Sequence, residues 1–191
     1  MDELTAVEAR TLLASAFVED PLMRWFFPDD ETRPHACAAV FGLFAEQYLA
    51  AGRVDVVRRS RPVAVAMWRW PGTDAAAQPE SLPTPPGLMT ALMGAGRAAE
   101  VGAAMGVIAE LRPSEPYAYL HLLGVDPATR GQGLGGEVLE PGLEAARGAG
   151  LTACLETMNP VNVPFYEAHG LSVRHEVRLG AGGPTVWAMA A

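Results

Sequence analysis

The stretch Tyr117-Ala-Tyr-Leu-His-Leu-Leu-Gly-Val125 and the segment that follows it, Asp126-Pro-Ala-Thr-Arg-Gly-Gln-Gly-Leu-Gly-Gly136, decide the fold. The first predicts a β-strand, because apolar and aromatic residues dominate it and an Asp-Pro turn ends it. The glycines then lead into a helix predicted from about Gly135 to Arg147. A strand, a glycine loop and a helix N-terminus in this order are typical of a phosphate site, since backbone N–H groups converge on one anion.

Spacing alone leaves two interpretations of the glycine loop open, a phosphate site and a flexible surface turn. Arg130 would place a full positive charge at the mouth of the loop, which suits a pyrophosphate. The loop lacks the Lys-Ser/Thr ending of a Walker P-loop and the glycine spacing of a Rossmann fingerprint. The common nucleotide motifs therefore do not account for it.

Periodicity and turn residues place the other elements around this centre. Helices are predicted over Leu4–Phe17, Arg33–Ala51, Leu88–Leu111 and Val161–Ala168. Strands are predicted over Val54–Arg59, Val63–Trp70, Leu151–Thr157, Leu171–Leu179 and Thr185–Met189. From Tyr117 onward the order is βαβαββ, an α/β arrangement, and Pro141 is expected to bend the helix that contains it.

Length, cysteine content and charge limit the classes of protein that fit. The 191 residues are consistent with a single domain spanning 1–191, and the apolar runs are too short for a membrane span. The N-terminus lacks a basic export signal, and Cys37 and Cys154 show no metal-ligand or disulfide spacing, so we expect a cytoplasmic protein without a bound metal. A formal charge of −8 disfavours nucleic acid and mildly favours cationic partners.

Two segments resemble signatures of the GNAT acetyltransferase superfamily. Val125–Gly135 is similar to the acetyl-CoA signature, Arg/Gln-x-x-Gly-x-Gly/Ala after a strand, and Asn162 followed by Phe165-Tyr-Glu-x-x-Gly170 is similar to the second signature. Within the superfamily, Gln132–Gly135, Leu155–Thr157 and Val163–Glu167 are similar to puromycin N-acetyltransferase-like bacterial proteins. The resemblance covers the cofactor-binding second half. Family members usually begin with a strand, whereas this chain opens almost directly in a helix.

The resemblance implies a GNAT (acyl-CoA N-acyltransferase) fold of the α/β class, with a mixed central sheet, splayed central strands and flanking helices. It implies acetyl-CoA as cosubstrate, with the pyrophosphate on the N–H groups of residues 131–136 and the pantetheine amides on the strand edge 123–125. Gly124 would allow a bulge in that strand. The implied cofactor-binding residues are Leu123, Gly124, Val125, Arg130, Gly131, Gln132, Gly133, Leu134, Gly135, Gly136 and Asn162.

Two residues are candidates for proton transfer. Tyr166 corresponds to the family tyrosine that protonates the departing thiolate, and a core aromatic is the alternative. His121 lies on the central strand, where arylalkylamine N-acetyltransferases carry a histidine, and Tyr119 shares its face. As a base, His121 would make the rate rise with pH near its ordinary pKa of about 6.5. A purely structural histidine and a pocket that lowers the pKa of the amine itself are the alternatives.

The predicted activity is direct transfer of an acetyl group from acetyl-CoA to a primary amine of a small molecule. A peptide or protein amine, a silent acyl-CoA-binding regulatory module and a nucleotide-binding protein with a similar loop are the alternatives. No membrane or nucleic-acid partner is expected, and a homodimer is left open. The candidate acceptor-site residues are the aromatic Trp25, Phe26, Phe27 and Trp68 and the acidic segments Glu46–Tyr48, Asp29–Glu31 and Glu80.

Overall fold

The computed structural model describes residues 3–72, 83–180 and 182–191, and its helices surround one six-stranded sheet. The first half contains α1 (Ala6–Phe17), α2 (Pro21–Phe26), α3 (Arg33–Ala51), β1 (Arg53–Arg58), β2 (Pro62–Arg69), α4 (Pro85–Met93) and α5 (Ala95–Glu110). The second half contains β3 (Tyr117–Val125), α6 (Leu134–Gly148), β4 (Thr152–Thr157), α7 (Val163–Ala168), β5 (Ser172–Arg178) and β6 (Thr185–Ala190).

The sheet has the order β1-β2-β3-β4-β6-β5 and is mixed, as predicted. Among the strands of the described residues, only β3 and β4 run parallel, and their ladder extends from the pair Tyr117–Thr152 to the pair Leu120–Leu155. Beyond that pair, β3 continues to Val125 and β4 to Thr157 without pairing to each other. The two central strands therefore separate at their C-terminal ends, which confirms the predicted splay.

A bulge in β3 lies at His121. Met67 of β2 pairs with Leu122 and Trp68 pairs with Leu120, so His121 is the extra residue between them. The bulge that was predicted at Gly124 is wrong, because Gly124 pairs regularly with Val65. A Cβ atom at Gly124 would lie 3.0 Å from Leu13 Cδ2, so the glycine instead permits close packing of α1 on the sheet.

The bulge also decides which side of the sheet the neighbouring residues cover. Leu122 belongs to the core that α1 and α3 form with β2, whereas Leu120 belongs to the core that α6 forms on the opposite side. Trp68 is fully buried in that second core. A Cβ atom at Gly142 of α6 would lie 2.2 Å from Trp68 Cε2, so this glycine makes room for the indole.

Most predicted elements agree with the observed bounds, and α3 and β3 agree at both ends. The single helix predicted over Leu88–Leu111 is wrong. It is two helices, because Gly94 between them has a φ of 78° that interrupts the helical backbone. The last predicted helix starts as a 3₁₀ turn over Pro160–Asn162 and becomes α-helical at α7.

Helix α2 and the proline inside helix α6 differ from what a simple sequence pattern predicts. Helix α2 was not predicted, and the Asp20 side chain caps its N-terminus. Pro141 does lie inside α6, and its carbonyl accepts a hydrogen bond from Arg53 Nη2 at 3.1 Å.

Residues 73–82 of the predicted Pro71–Pro86 loop, including Glu80, and Ala181 of the last turn lie outside the described residues.

Candidate active site

The glycine loop turns the chain from β3 into the start of α6. Gly131 and Gly133 have φ values of 78° and 77°, which residues other than glycine rarely adopt. Gly133 is the N-cap of the helix. The first helical hydrogen bond at this end joins the Glu137 amide to the Gly133 carbonyl. The amides before Glu137 therefore point out of the helix, and the helix dipole adds positive potential at the same place.

The largest cavity near the loop, here called the loop cavity, encloses about 480 Å³. Its lining includes Arg130, Gly131, Gly133, Leu134, Gly135 and Gly136, together with Leu123 and Val125 of β3 and Asn162. Two of the predicted cofactor residues are not in this lining: Gln132 is exposed and Gly124 is packed beneath α1. Arg130 Nη2 donates to the Ala16 carbonyl at 2.8 Å, which joins the loop to the end of α1.

A second cavity of about 140 Å³, here called the apolar cavity, lies between α2, α3, α5 and the sheet. Much of its wall is aliphatic or aromatic and includes Phe26, Phe41, Phe44, Met105, Ile108 and Leu122. The two cavities share the lining residues Phe17, Asp20, Leu123, Asn162 and Tyr166. These five residues, called the junction below, lie beside the opening between β3 and β4.

Tyr166 and Asp20 are the titratable residues of the junction. Tyr166 is 7% exposed, and burial, with a smaller contribution from the Asp20 charge, raises the pKa of its hydroxyl. Burial also raises the pKa of the Asp20 carboxyl, although a hydrogen bond from the Leu22 amide at 2.8 Å opposes that shift. Asn162 Nδ2 donates to Thr157 Oγ1 at 3.3 Å, which ties α7 to the end of β4.

His121 faces the apolar cavity from the bulge of β3. Its Nδ1 lies 2.8 Å from the Tyr48 hydroxyl, and its ring contacts Phe44 edge-on and stacks on Tyr119. Burial lowers the pKa of His121 to about 3, and the positive charge of Arg69 contributes. The rise in rate that was expected near pH 6.5 does not fit this lowered pKa. Burial disfavours the charged imidazole, so its titration moves well below that pH. Tyr119, which was expected to share the face of His121, lines the same cavity.

A buried ion pair joins Glu156, which lines the apolar cavity, to Arg112, which does not line it. Arg112 Nε donates to Glu156 Oε1 at 3.0 Å, and the Glu156 side chain is only 4% exposed. Arg112 Nη2 donates to the Tyr119 hydroxyl at 3.0 Å, and its guanidinium lies 4.0 Å from the centre of that ring. These contacts hold the Glu156 carboxylate and the Tyr119 hydroxyl together through one cation.

Several predicted acceptor-site residues lie elsewhere. Of the four aromatic residues, Phe26 lines the apolar cavity, whereas Trp68 lies on the opposite side of the sheet. Trp25 and Phe27 are absent from the described lining of both cavities, and Trp25 stacks beneath the Arg97 guanidinium at 4.5 Å. The Asp29–Glu31 run is exposed, as is Glu46, so these carboxylates face solvent.

Neither Asp20 nor Arg112 was predicted from the sequence as a site residue. The one local signal for Asp20 is its position before Pro21, which marks the start of a helix and says nothing about a cavity. Across the described ranges, no group of three or more His, Cys, Asp or Glu side chains could hold a metal ion. No helix in the described part of the chain has both the length and the apolar character needed to cross a membrane.

A mixed sheet that opens between two parallel strands, with a glycine loop at the open end, defines the acyl-CoA N-acyltransferase fold. The model of the acetyltransferase (GNAT) family matches residues 61–171, and the chain belongs to this family. It is therefore a GNAT acetyltransferase, a member of a class of acetyl-CoA-dependent N-acetyltransferases.

Solved structures share the fold over the length of the chain. A Corynebacterium glutamicum protein described as histone acetyltransferase HPA2 and related acetyltransferase is 22% identical, with a TM-score of 0.69, and the match covers 100% of this chain and 93% of that one. The polyamine N-acetyltransferase of Drosophila melanogaster is 17% identical, with a TM-score of 0.61 and coverages of 97% and 94%. A mosquito arylalkylamine N-acetyltransferase like 5b is 16% identical, with a TM-score of 0.58 and the same coverages.

Proposed function

We propose that this chain transfers the acetyl group of acetyl-CoA to a primary amine of a small molecule by direct attack. The observation that carries the proposal is the junction, where the loop cavity and the apolar cavity share Asp20, Asn162 and Tyr166. A donor in one cavity and an acceptor in the other would meet there without a covalent enzyme intermediate. The solved structures named for polyamine and arylalkylamine acetylation support a small amine as acceptor.

The loop cavity suits the nucleotide and pantetheine parts of acetyl-CoA. The amides between Gly131 and Gly136 supply several donors for a pyrophosphate, and Arg130 adds a positive charge beside them. The edge of β3 from Leu123 to Val125 does not pair with β4, so its backbone groups are available to the amides of pantetheine.

The reaction moves three protons: the ammonium form of the acceptor loses one before attack, its nitrogen loses a second after the new bond forms, and the departing sulfur gains one. The amine nitrogen forms a bond to the acetyl carbonyl carbon, the carbon–sulfur bond breaks, and the sulfur leaves with the electron pair. Tyr166 would donate its proton to that sulfur, a role supported by the position of Tyr166 at the junction of the two cavities. The amine must lose a proton, because only the neutral form has the lone pair that attacks.

Two residues are candidates for accepting the amine proton. His121 faces the apolar cavity, but a pKa of about 3 makes its imidazole a weak base. Asp20 lies at the junction, and burial raises the pKa of its carboxyl towards the range in which a base is effective. We therefore propose Asp20 as the proton acceptor, directly or through a water molecule, and keep His121 as the alternative.

Two assays test the proposed function. A thermal-shift comparison of acetyl-CoA, ATP and NAD should show stabilisation by acetyl-CoA alone, since a ligand of the native state raises stability by mass action. A panel of puromycin, arylalkylamines, polyamines, aminoglycosides and peptide N-termini should then release free thiol with a small amine. Acetyl-CoA binding without turnover of any amine would favour a regulatory module, and turnover of peptides alone would favour a protein acceptor.

The likeness to puromycin N-acetyltransferase-like proteins stays a sequence resemblance in this proposal. The apolar cavity of about 140 Å³ is smaller than the roughly 300–1,000 Å³ typical of pockets for drug-sized ligands, which favours an acceptor smaller than puromycin.

Cys37 and Cys154 are both free and buried, so we place the reaction in the reducing cytoplasm.

A further inference from the structure

We propose that the acceptor is a monoamine whose body is compact and apolar or aromatic, and that Arg112 excludes amines that carry a second cationic group. This inference rests on the proposed function and specifies the substrate class of the same site. It follows from three features of the apolar cavity: its wall, its two carboxylates and the guanidinium groups behind it.

The wall of the apolar cavity favours a hydrocarbon body. Phe26, Phe41 and Phe44 approach from the helices, and Met105 and Ile108 of α5 close the other side. An aromatic or branched acceptor would bury its surface against these side chains, whereas a distal ammonium or guanidinium would lose its hydration there. The small volume of the cavity excludes a long chain that folds back on itself.

The two carboxylates of the described lining have different surroundings. Asp20 lies at the junction, beside the place where the amine reacts. Glu156 is not part of the junction, and its carboxylate already accepts a hydrogen bond from Arg112 at 3.0 Å. A buried ion pair of this kind leaves little negative charge for a second partner.

Two guanidinium groups lie against lining residues of the apolar cavity without lining it themselves. Arg112 lies 4.0 Å and Arg69 5.8 Å from the centre of the Tyr119 ring, which lines the apolar cavity. Both arginines lower the pKa of the neighbouring His121, so their positive potential reaches the cavity. A distal cation that approached Glu156 would be repelled by like charges, which is an effective device for rejecting a wrong ligand.

The test compares phenethylamine, an aromatic monoamine, with agmatine, an amine that carries a distal guanidinium. Values of kcat/KM are measured for the wild type, Arg112→Met, Glu156→Gln and the double variant, and calorimetry on the CoA-bound proteins measures the affinity for each amine without turnover. Stabilisation by acetyl-CoA in thermal shift shows that each variant is folded. Arg147→Met, the same substitution at an exposed arginine of α6 outside the described lining of both cavities, serves as a matched control.

The wild type should prefer phenethylamine by about ten-fold or more in kcat/KM, and the preference should appear in binding as well. Arg112→Met should raise the agmatine-to-phenethylamine ratio by about ten-fold, because Glu156 becomes available to the distal cation, and the double variant should lose that gain. Preferential binding of agmatine by the wild type, or an unchanged ratio in folded Arg112→Met, would overturn the inference. If no amine is acetylated, the proposed function fails, whereas the binding preference still decides the substrate class.

Discussion

Tyr166 lines both cavities, so its hydroxyl is placed to protonate the sulfur that would leave acetyl-CoA in the loop cavity. We expect Tyr166→Phe to lower kcat by about ten-fold or more, because the departing sulfur loses its proton donor. Phenylalanine fills the same buried volume, so acetyl-CoA affinity and the melting temperature should change little. Stopped-flow measurement of thiol release, with calorimetry for affinity, checks both expectations.

Tyr48→Phe is the matched control for that change, since it removes a buried hydroxyl that contacts His121 and does not line the loop cavity. A Tyr166→Phe enzyme with wild-type turnover would remove Tyr166 from the mechanism. Equal losses in the two variants would indicate a general effect of removing buried hydroxyl groups.

Asp20 should determine the rise of activity with pH. As a base it must be ionised, so kcat should increase as the pH rises through its raised pKa. Asp20→Asn should remove that increase and lower the rate, while asparagine still caps α2. His121→Ala should keep the increase, because the pKa of about 3 places that ionisation far below the assay range.

Comparison of two acceptors of different basicity separates the enzyme's ionisation from that of the amine. A rise of activity with pH whose midpoint changes with the acceptor, and which persists in Asp20→Asn, would show that the pocket lowers the pKa of the amine instead. Loss of this rise in His121→Ala alone would assign the base to the histidine.

The same carboxyl should affect the stability of the fold. Because the pKa of Asp20 is raised, the native state binds more protons than the unfolded chain between the ordinary pKa of about 3.9 and the raised value. The free energy of unfolding should therefore fall as the pH rises through that window. Urea unfolding should show that Asp20→Asn becomes more stable relative to the wild type across the same window, and a constant difference would contradict the burial of this carboxyl.

At the scale of elements, helix α6 combines the loop, a proline and an unusual glycine. Alanine at a helix interior normally stabilises relative to glycine by up to about 1 kcal/mol. At Gly142 we expect the reverse, a loss of roughly 1–3 kcal/mol, because a Cβ atom would lie 2.2 Å from the Trp68 ring. Gly148→Ala, where nothing lies within 4 Å, is the control and should not destabilise. Urea unfolding measures both, and equal effects would contradict the packing described for α6.

The glycine loop should bind acetyl-CoA only with a glycine at its helix cap. Gly133→Asp forces a side chain into a backbone with φ of 77° and adds a negative charge beside the expected pyrophosphate, so acetyl-CoA binding should be lost. Gln132→Asp adds the same charge on an exposed residue outside the loop-cavity lining and should weaken binding far less. Calorimetry with folded variants checks this, and wild-type affinity in Gly133→Asp would contradict a pyrophosphate at this loop.

The elements that could be predicted from sequence are those with strong local signals. Helix α3 starts beside Pro34 and ends before Gly52, and β3 is a long apolar run that ends at Asp126-Pro127, so both agree with the structure. The bulge at His121 could not be predicted, because one extra residue changes the pairing with β2 without changing the composition of β3.

At the scale of the whole molecule, sequence motifs predicted most of the residues that were expected to share one site and that line the loop cavity, but few of those that line the apolar cavity. The glycine loop and the segment that begins at Asn162 each carry a short sequence motif. The spacing of residues within each motif is enough to mark them. The apolar cavity is lined by Asp20 from the α1–α2 turn and by Glu156 of β4, and Arg112 from a third segment pairs with Glu156. Only the tertiary fold brings such residues together, and the aromatic residues chosen by type include Trp68, which packs on the other side of the sheet.

The central claim is that donor and acceptor meet at the junction of two cavities. A crystal structure with a bisubstrate analogue, CoA joined through an acetyl bridge to phenethylamine, tests this most directly. We predict one molecule that spans both cavities, with its pyrophosphate at residues 131–136, its bridge beside Tyr166 and Asp20, and its ring against Phe44. An analogue bound through its CoA half alone, with the phenethylamine arm in solvent or on another face of the sheet, would contradict the account.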